Sequence, residues 1–353
     1  MSRPPDDPET KKGLTYRDAG VDIDAQDQGL KRIELVVRST RTPGVLADLG
    51  SFGGLFAPDL RGLEEPVLVA SCDGVGTKLR VALEAGIHDT VGRDLVDHCV
   101  NDILVQGARP LFFLDYVATG HLDPAVLEAV VLGIACGCRE AGCALLGGET
   151  AEMPGFYAPQ EYDVAGFIVG IVDRKAVLDG SRLRVGDVLV GLPSAGLHTN
   201  GYSLARKILF ERCGLGVGSR VDELQATVAE LLLAEHRSYL RPLRGALEAN
   251  LVEGLAHITG GGLTDNLPRI LPPGTSARIE RGRWATPALF LYLQRMGEVR
   301  EPEMYRTFNM GIGMVAVVRP EHAGEFEAHL DRQGEKHHRI GSIVPGDGKV
   351  LYA

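Results

Sequence analysis

Val67-Leu68-Val69-Ala70-Ser71-Cys72-Asp73-Gly74-Val75-Gly76-Thr77-Lys78 is the stretch that decides how the chain is organised. Its apolar start reads as a short buried strand. Its end, from Lys78 through Leu79, Val81, Ala82 and Leu83, reads as the opening of a helix. Between them, Gly74 and Gly76 permit a tight turn and close approach of the backbone to a ligand. Amides in such a turn and at the helix start point at anionic oxygens. Lys78 adds positive charge, Thr77 a hydroxyl, and Asp73 a carboxylate able to hold a magnesium ion. The combination suits a nucleoside triphosphate, although it is not a G-x-x-x-x-G-K-[ST] loop. An ordinary strand-to-helix glycine turn accounts for these six residues equally well.

The wider composition narrows the field. A chain of 353 residues with 44% apolar content implies two domains with substantial cores. A formal net charge of -10 argues against a nucleic-acid surface, but not against a small phosphorylated ligand. The six cysteines contain no C-x-x-C pair and several sit in apolar runs, so reduced, buried thiols are expected rather than zinc or disulfides. No run reaches the roughly 18 apolar residues of a membrane span. Residues 1–15, with three prolines by Lys12, read as a mobile tail without the apolar core of a signal peptide, and a cytoplasmic chain is expected.

Outward from the opening stretch, Gly50-Ser51-Phe52-Gly53-Gly54 reads as a glycine flap able to close over phosphates, or as a plain surface loop. Thr90 to Gln106 reads as a helix with Val91, Leu95, Cys99 and Ile103 on one stripe and Gly107 at its end. Asp94, His98 and Asp102 form a second, polar stripe. A solvated face is its simpler explanation. The narrower one places Asn101 and Asp102 at a cation, with Asp102 and Asp73 as paired carboxylates around magnesium. A strand from Leu111, a helix capped by Asp123-Pro124 and a strand Ala144 to Leu146 follow. That last strand is expected to end in a second glycine turn, Gly147-Gly148-Glu149-Thr150, with Glu149 as a third metal or nucleotide ligand.

Tyr162 to Val172 reads as a long strand, and the composition shifts at Asp173 to Gly180, dividing the chain into 16–174 and 175–353. In the second part, His198-Thr199-Asn200-Gly201 precedes a helix, and His257-Ile258-Thr259-Gly260-Gly261-Gly262 forms another strand–glycine–helix turn. Both fit substrate loops, and a loop histidine can equally be incidental. Helices and strands occur in both parts without strict alternation.

The motifs taken together, Asp-Gly-Val-Gly-Thr-Lys (73–78), Val-Asn-Asp (100–102), Gly-Gly-Glu-Thr-Ala-Glu-Met-Pro-Gly (147–155), His-Thr-Asn-Gly-Tyr-Ser (198–203), His-Ile-Thr-Gly-Gly-Gly (257–262) and Phe-Asn-Met-Gly-Ile-Gly-Met (308–314), resemble the phosphoribosylformylglycinamidine cyclo-ligase family. The resemblance runs from about Tyr16 to the C-terminus. His98 stands where the family pattern has methionine and is given no catalytic role.

The resemblance implies an α+β fold of two α/β-type domains. The N-terminal domain pairs across a homodimer into a shared β-barrel, and the C-terminal domain is a mixed sheet with helices. It implies ATP-dependent closure of an imidazole ring in purine biosynthesis, with Mg2+ accompanying ATP. The partners it implies are small molecules and a second copy of the chain, with no nucleic acid or membrane. Phosphoryl transfer asks for positioning and charge neutralisation. Asp73, Asp102 and Glu149 are accordingly assigned to the metal. Ser51, Gly53, Gly54, Asp73, Gly74, Gly76, Thr77, Asn101, Glu149 and Thr150 are assigned to ATP and its phosphates. Thr199, Asn200, Gly260, Gly261 and Gly262 go to the ribonucleotide, and His198, Asp102 and Lys78 to catalysis. Two other readings stand beside this one: a thiamine-phosphate or selenide kinase, and a nucleotide-binding maturation or scaffold protein. Selenide chemistry would want a cysteine near the N-terminus, whereas the first here is Cys72.

Overall fold

The computed structural model describes residues 13–47 and 52–353. Gly50 and Ser51 of the expected flap, and residues 1–12 of the expected tail, lie outside these. The first part comprises α1 (Ile23–Arg38), β1 (Pro66–Gly74), α2 (Lys78–Ala85), α3 (Asp89–Leu104), β2 (Arg109–Thr119), α4 (Pro124–Ala141), β3 (Ala144–Glu152) and β4 (Tyr162–Asp173). Its four strands form one sheet in the order β1-β4-β2-β3, with only β2 and β3 parallel.

Helices α3 and α4 cover one face of this sheet. Val91, Leu95, Cys99 and Ile103 of α3 are fully buried, as their spacing predicts. The two helices touch through glycines: a Cβ on Gly133 would fall 1.9 Å from the Asp89 carbonyl oxygen, and one on Gly92 2.1 Å from that of Val130. Asp123 caps α4 by accepting from the Ala125 amide, and Gly142 ends it with φ +70°. Val69, Phe113 and Ile168 point inward, whereas Leu68 is 65% and Phe167 41% exposed on the other face. That alternation belongs to a sheet with helices on one side only.

Two expectations are corrected here. Gly147-Gly148-Glu149-Thr150 is no turn but the middle of β3, which runs on to Glu152 because it pairs with β2 as far as Thr119. The polar stripe of α3 is not solvated: Asp94 and His98 are buried, because that side of the helix meets the second part of the chain.

The second part comprises β5 (Val188–Pro193), α5 (Tyr202–Arg206) continued by a π-helical turn (Lys207–Arg212), β6 (Arg220–Val221), β7 (Ala226–Thr227), α6 (Val228–Leu232), α7 (Leu240–Glu248), β8 (Gly254–His257), α8 (Gly262–Asn266), β9 (Thr275–Ile279), α9 (Ala288–Gly297), α10 (Glu301–Thr307), β10 (Ile312–Val318), α11 (Ala323–Arg332), β11 (His338–Pro345) and β12 (Val350–Tyr352). Six strands make a mixed sheet in the order β12-β9-β11-β5-β10-β8, and β6 and β7 form a small hairpin. Every residue of β10 is buried, as suits a central strand flanked by β5 and β8. Helices α6 and α7 are separated by an extended loop, residues 234–239. That loop runs along α3.

Candidate active site

The polar side of α3 is where the two parts meet. Asp73 sits near the end of β1 opposite Gly166 of β4. Only a glycine fits there, since a Cβ would fall 2.2 Å from Phe113 Cζ and 2.9 Å from Leu95 Cγ. Asp73 therefore lies close to α3, and its Oδ2 is 2.6 Å from His98 Nε2. One helical turn on, Asp102 Oδ2 lies 3.8 Å from the same nitrogen and accepts from the Ser71 hydroxyl at 3.0 Å. Asp102 Oδ1 is 2.9 Å from His257 Nδ1, at the end of β8. His257 Nε2 faces His236 Nε2 at 3.2 Å, and His98 Nδ1 meets Thr199 Oγ1 at 2.8 Å. The carboxylates open to solvent, Asp73 at 43% and Asp102 at 27% side-chain exposure, above a floor of buried imidazoles.

Burial pushes the Asp73 carboxyl up, but hydrogen bonding and charge from His98 outweigh it and hold it below its ordinary range. Asp102 is lowered in the same way, burial being overcome by its bond to His257. His98 is raised, because the carboxylates around it outweigh its burial. His198 and His236 are pushed well down by burial, assisted by neighbouring cationic groups, so both rings are neutral near pH 7. Two ionised carboxylates at a half-open mouth form a hard oxygen-donor set that fits Mg2+.

Several residues assigned from sequence have other partners. The Lys78 ammonium is fully buried, paired with Asp94 Oδ2 at 2.6 Å and donating to the carbonyls of Ala234 at 2.8 Å and His198 at 3.4 Å. It faces no open phosphate site, because α2 turns it inward beneath the second part of the chain. Asn101 is likewise buried. Its amide donates to Arg237 O at 2.8 Å and accepts from Tyr239 N at 2.9 Å, so it ties the two parts together. His198 is 1% exposed with φ +62°, its Nε2 accepts from the Ala195 amide, and its ring stacks on His236 at 4.0 Å. It does not face solvent, so its imidazole orders the loop that carries Thr199 and Asn200.

Glu149 stands apart from the Asp73–Asp102 pair. The registers align Glu149 with Tyr116, Ala165 and Gly74, three strand spacings or about 14 Å across the sheet. Thr150 lies on the same edge strand, and a Cβ on Gly54 would fall 2.4 Å from Leu146 Cγ, so Gly53 and Gly54 belong to this far edge as well. Within one chain these residues do not surround one ion with Asp73 and Asp102.

The other assigned residues do converge. Gly76 turns the chain with φ +64°, the Gly74 amide already donates to Asp73 Oδ1 at 2.7 Å, and Thr77 Oγ1 meets Ser203 Oγ at 3.1 Å. Asn200 reaches the triple-glycine turn, where a Cβ on Gly260 would lie 3.1 Å from its Oδ1. Gly261 and Gly262 take φ +97° and +57°, and a Cβ on Gly262 would sit 2.1 Å from Tyr305 O. Sequence reasoning missed Ser71, His236 and the role of His257. His257 stood in a quoted motif, but nothing near His236 in the sequence marked it.

Residues 60–172 match the family model of the AIR synthase related protein N-terminal domain, and residues 184–353 that of the C-terminal domain. A phosphoribosylformylglycinamidine cyclo-ligase of Sorangium cellulosum is 54% identical over 346 residues, covering 96% of this chain and 99% of that protein. One from Geobacter sulfurreducens is 54% identical over 335 residues, covering 95% and 96%. Among solved structures, thiamine-monophosphate kinase from Stenotrophomonas maltophilia superposes with a TM-score of 0.67 at 17% identity, covering 91% of this chain and 95% of that one. Hydrogenase maturation protein HypE in complex with ATP does so with 0.65 at 21%, covering 95% and 93%. At these identities the structural likeness speaks for the fold alone. Among the described residues no helix is long and apolar enough to cross a membrane.

Proposed function

The chain belongs to the phosphoribosylformylglycinamidine cyclo-ligase family, enzymes of purine biosynthesis that join carbon to nitrogen at the expense of ATP, and we propose that the cleft bounded by Asp73 and Asp102 is where it does so. The reaction closes formylglycinamidine ribonucleotide to 5-aminoimidazole ribonucleotide. The γ-phosphoryl group passes to the formyl-derived amide oxygen and ADP leaves. The amidine nitrogen then attacks the activated carbon, the carbon–oxygen bond breaks, and phosphate departs as the imidazole ring closes. The observation that carries the reading is the pair of carboxylates, held ionised at an open mouth by His98 and His257.

Asp73 and Asp102 would hold Mg2+, which supplies charge neutralisation to the phosphates when bound. The turn from Gly74 to Thr77 carries the phosphate chain. Thr199 and Asn200, with the amides of Gly260, Gly261 and Gly262, hold the ribonucleotide. His257 is buried, bonded at Nδ1 to Asp102 and at Nε2 to His236, and holds the Asp102 carboxylate in place beneath these two regions. Lys78, Asn101 and His198 serve by fixing the geometry, and the proposed division at residue 174 falls between the two matched spans.

The working unit we propose is a homodimer. Leu68 and Phe167 leave an apolar face uncovered, and β1 and β3 leave two sheet edges unpaired among the described strands. A second copy both covers that face and is what can bring the Glu149–Thr150 edge, with Gly53 and Gly54, to a nucleotide on Asp73 and Asp102.

The test supplies the purified protein with Mg2+, ATP and formylglycinamidine ribonucleotide, and follows ADP and the aminoimidazole together. Equal amounts, both dependent on the ribonucleotide, are expected. ADP without imidazole, or a phosphorylated product retaining the open chain, would overturn the assignment in favour of a kinase or maturation role.

A further inference from the structure

Beneath the carboxylate mouth three imidazoles from three separate elements meet. His98 comes from α3, His236 from the loop before α7 and His257 from the end of β8. One ring nitrogen from each lies within 4.8 Å of the other two. The rings stand edge-on to one another, with centroids 5.0 to 5.3 Å apart. All three are more than nine-tenths buried. We propose that His98, His236 and His257 form a binding site for a divalent transition-metal ion of the zinc type, separate in chemistry from the magnesium–nucleotide site above it.

The donor set selects the ion. Magnesium takes oxygen ligands and keeps much of its water, whereas neutral imidazoles suit zinc, cobalt or nickel. The spacing agrees. Two nitrogens bound at about 2.05 Å in a tetrahedron lie about 3.4 Å apart, and the facing Nε2 atoms of His236 and His257 are 3.2 Å apart. The site is also built in advance. Asp102 holds the Nδ1 side of His257, which leaves its Nε2 lone pair directed at the cluster, the arrangement of a carboxylate–histidine–metal triad. The His236 backbone amide donates to Asp94 Oδ1 at 2.6 Å, and the His236 ring is clamped against His198. His236 Nδ1 has no hydrogen-bond partner, so the only polar contact its ring makes among the described residues is the one with His257.

His98 joins such an ion only by releasing Asp73 or Thr199, because both of its nitrogens are engaged. When His98 is protonated its proton leaves to solvent as the metal binds. Zinc loading therefore withdraws His98 from the machinery around Asp73 and slows cyclisation. The site is an inhibitory metal switch.

The experiment uses chelator-treated full-length protein without nucleotide, in millimolar Mg2+. It is titrated with Co2+ while visible absorption is followed, then with Zn2+ while retained metal per chain is measured after desalting. One ion per chain is expected, with the strong visible bands of tetrahedral cobalt, and zinc should not be displaced by magnesium. His236→Gln and His98→Met should each weaken binding by about 100-fold or more, and the zinc-inhibited fraction of turnover, measured within each variant, should shrink in His236→Gln. Circular dichroism establishes that each variant is folded, and either one suffices if the other is not. Substoichiometric binding by the wild type, displacement by magnesium, or affinity unchanged in a folded variant would overturn the site.

Discussion

Replacing Lys78 by methionine separates two accounts of this residue. The methionine keeps most of the stem and removes the ammonium. Left behind would be Asp94, completely buried, with the His236 amide as its remaining hydrogen-bond donor, and the Ala234 carbonyl without its donor. Breaking a buried ion pair by deleting one partner costs about 3–5 kcal/mol, because the other charge is left uncompensated. At a guanidinium m-value of about 5 kcal/mol/M for a chain of this size, that lowers the unfolding midpoint by about 0.6–1 M. The pair joins α2 and α3 to the loop carrying His236, so the loss should be felt by both parts of the chain. Lys78→Met combined with Asp94→Leu removes both charges together and should recover most of the stability. The assay is guanidinium unfolding followed by fluorescence and circular dichroism, with turnover measured on each folded variant. A Lys78→Met protein with an unchanged midpoint but greatly reduced turnover would refute the structural account and return Lys78 to the phosphates.

Asp102→Ala should lower turnover by at least about 100-fold, the scale of a lost electrostatic contact to the transferring group, while circular dichroism stays native. Wild-type kinetics in that variant would remove Asp102 from the site. Asp115, partly buried on β2, is pushed up to about 7 by burial. Since the unfolded chain ionises it near 3.8, stability falls as pH rises from there to about 7, and the full penalty, on the order of 3–4 kcal/mol, is present above 7. Asp115→Asn should therefore stabilise the protein more at pH 8 than at pH 5, and equal gains at both values would contradict the buried-carboxylate reading. Leu68→Asp, on the uncovered face of the first sheet, should shift the protein to monomers in sedimentation velocity and lower activity with them. A variant that stays dimeric would mean that another surface makes the contact.

Much of this was legible in the sequence. The apolar stripe of α3, the Asp123 cap and the glycine stops at Gly107 and Gly142 follow from local rules, and the structure has them where the residues put them. The long motifs gave the family. Local rules could not tell that Gly147 and Gly148 are strand residues, because their extended pairing is set by β2, a partner distant in sequence. The same limit hid the fate of the polar stripe. Asp94, His98 and Asp102 have the spacing of a solvated face, and only the packing of the second part against α3 buries Asp94 and His98 and leaves Asp102 half-open at their end. Lys78 looked like a phosphate lysine because its partner Asp94, sixteen residues on, belongs to another helix. His236 lies in a loop without regular period, so nothing local tied it to His257.

The central claim is that Asp73 and Asp102 hold the metal of the nucleotide. Crystals grown with Mn2+ in place of Mg2+ and a non-hydrolysable ATP analogue, measured for manganese anomalous scattering, address it directly. The account predicts a manganese peak within about 2.3 Å of a carboxylate oxygen of both residues, with the analogue's phosphates along the turn from Gly74 to Thr77. Manganese and nucleotide found only against the Glu149 edge, with Asp73 and Asp102 still bonded to His98 and His257 and touching neither, would contradict it.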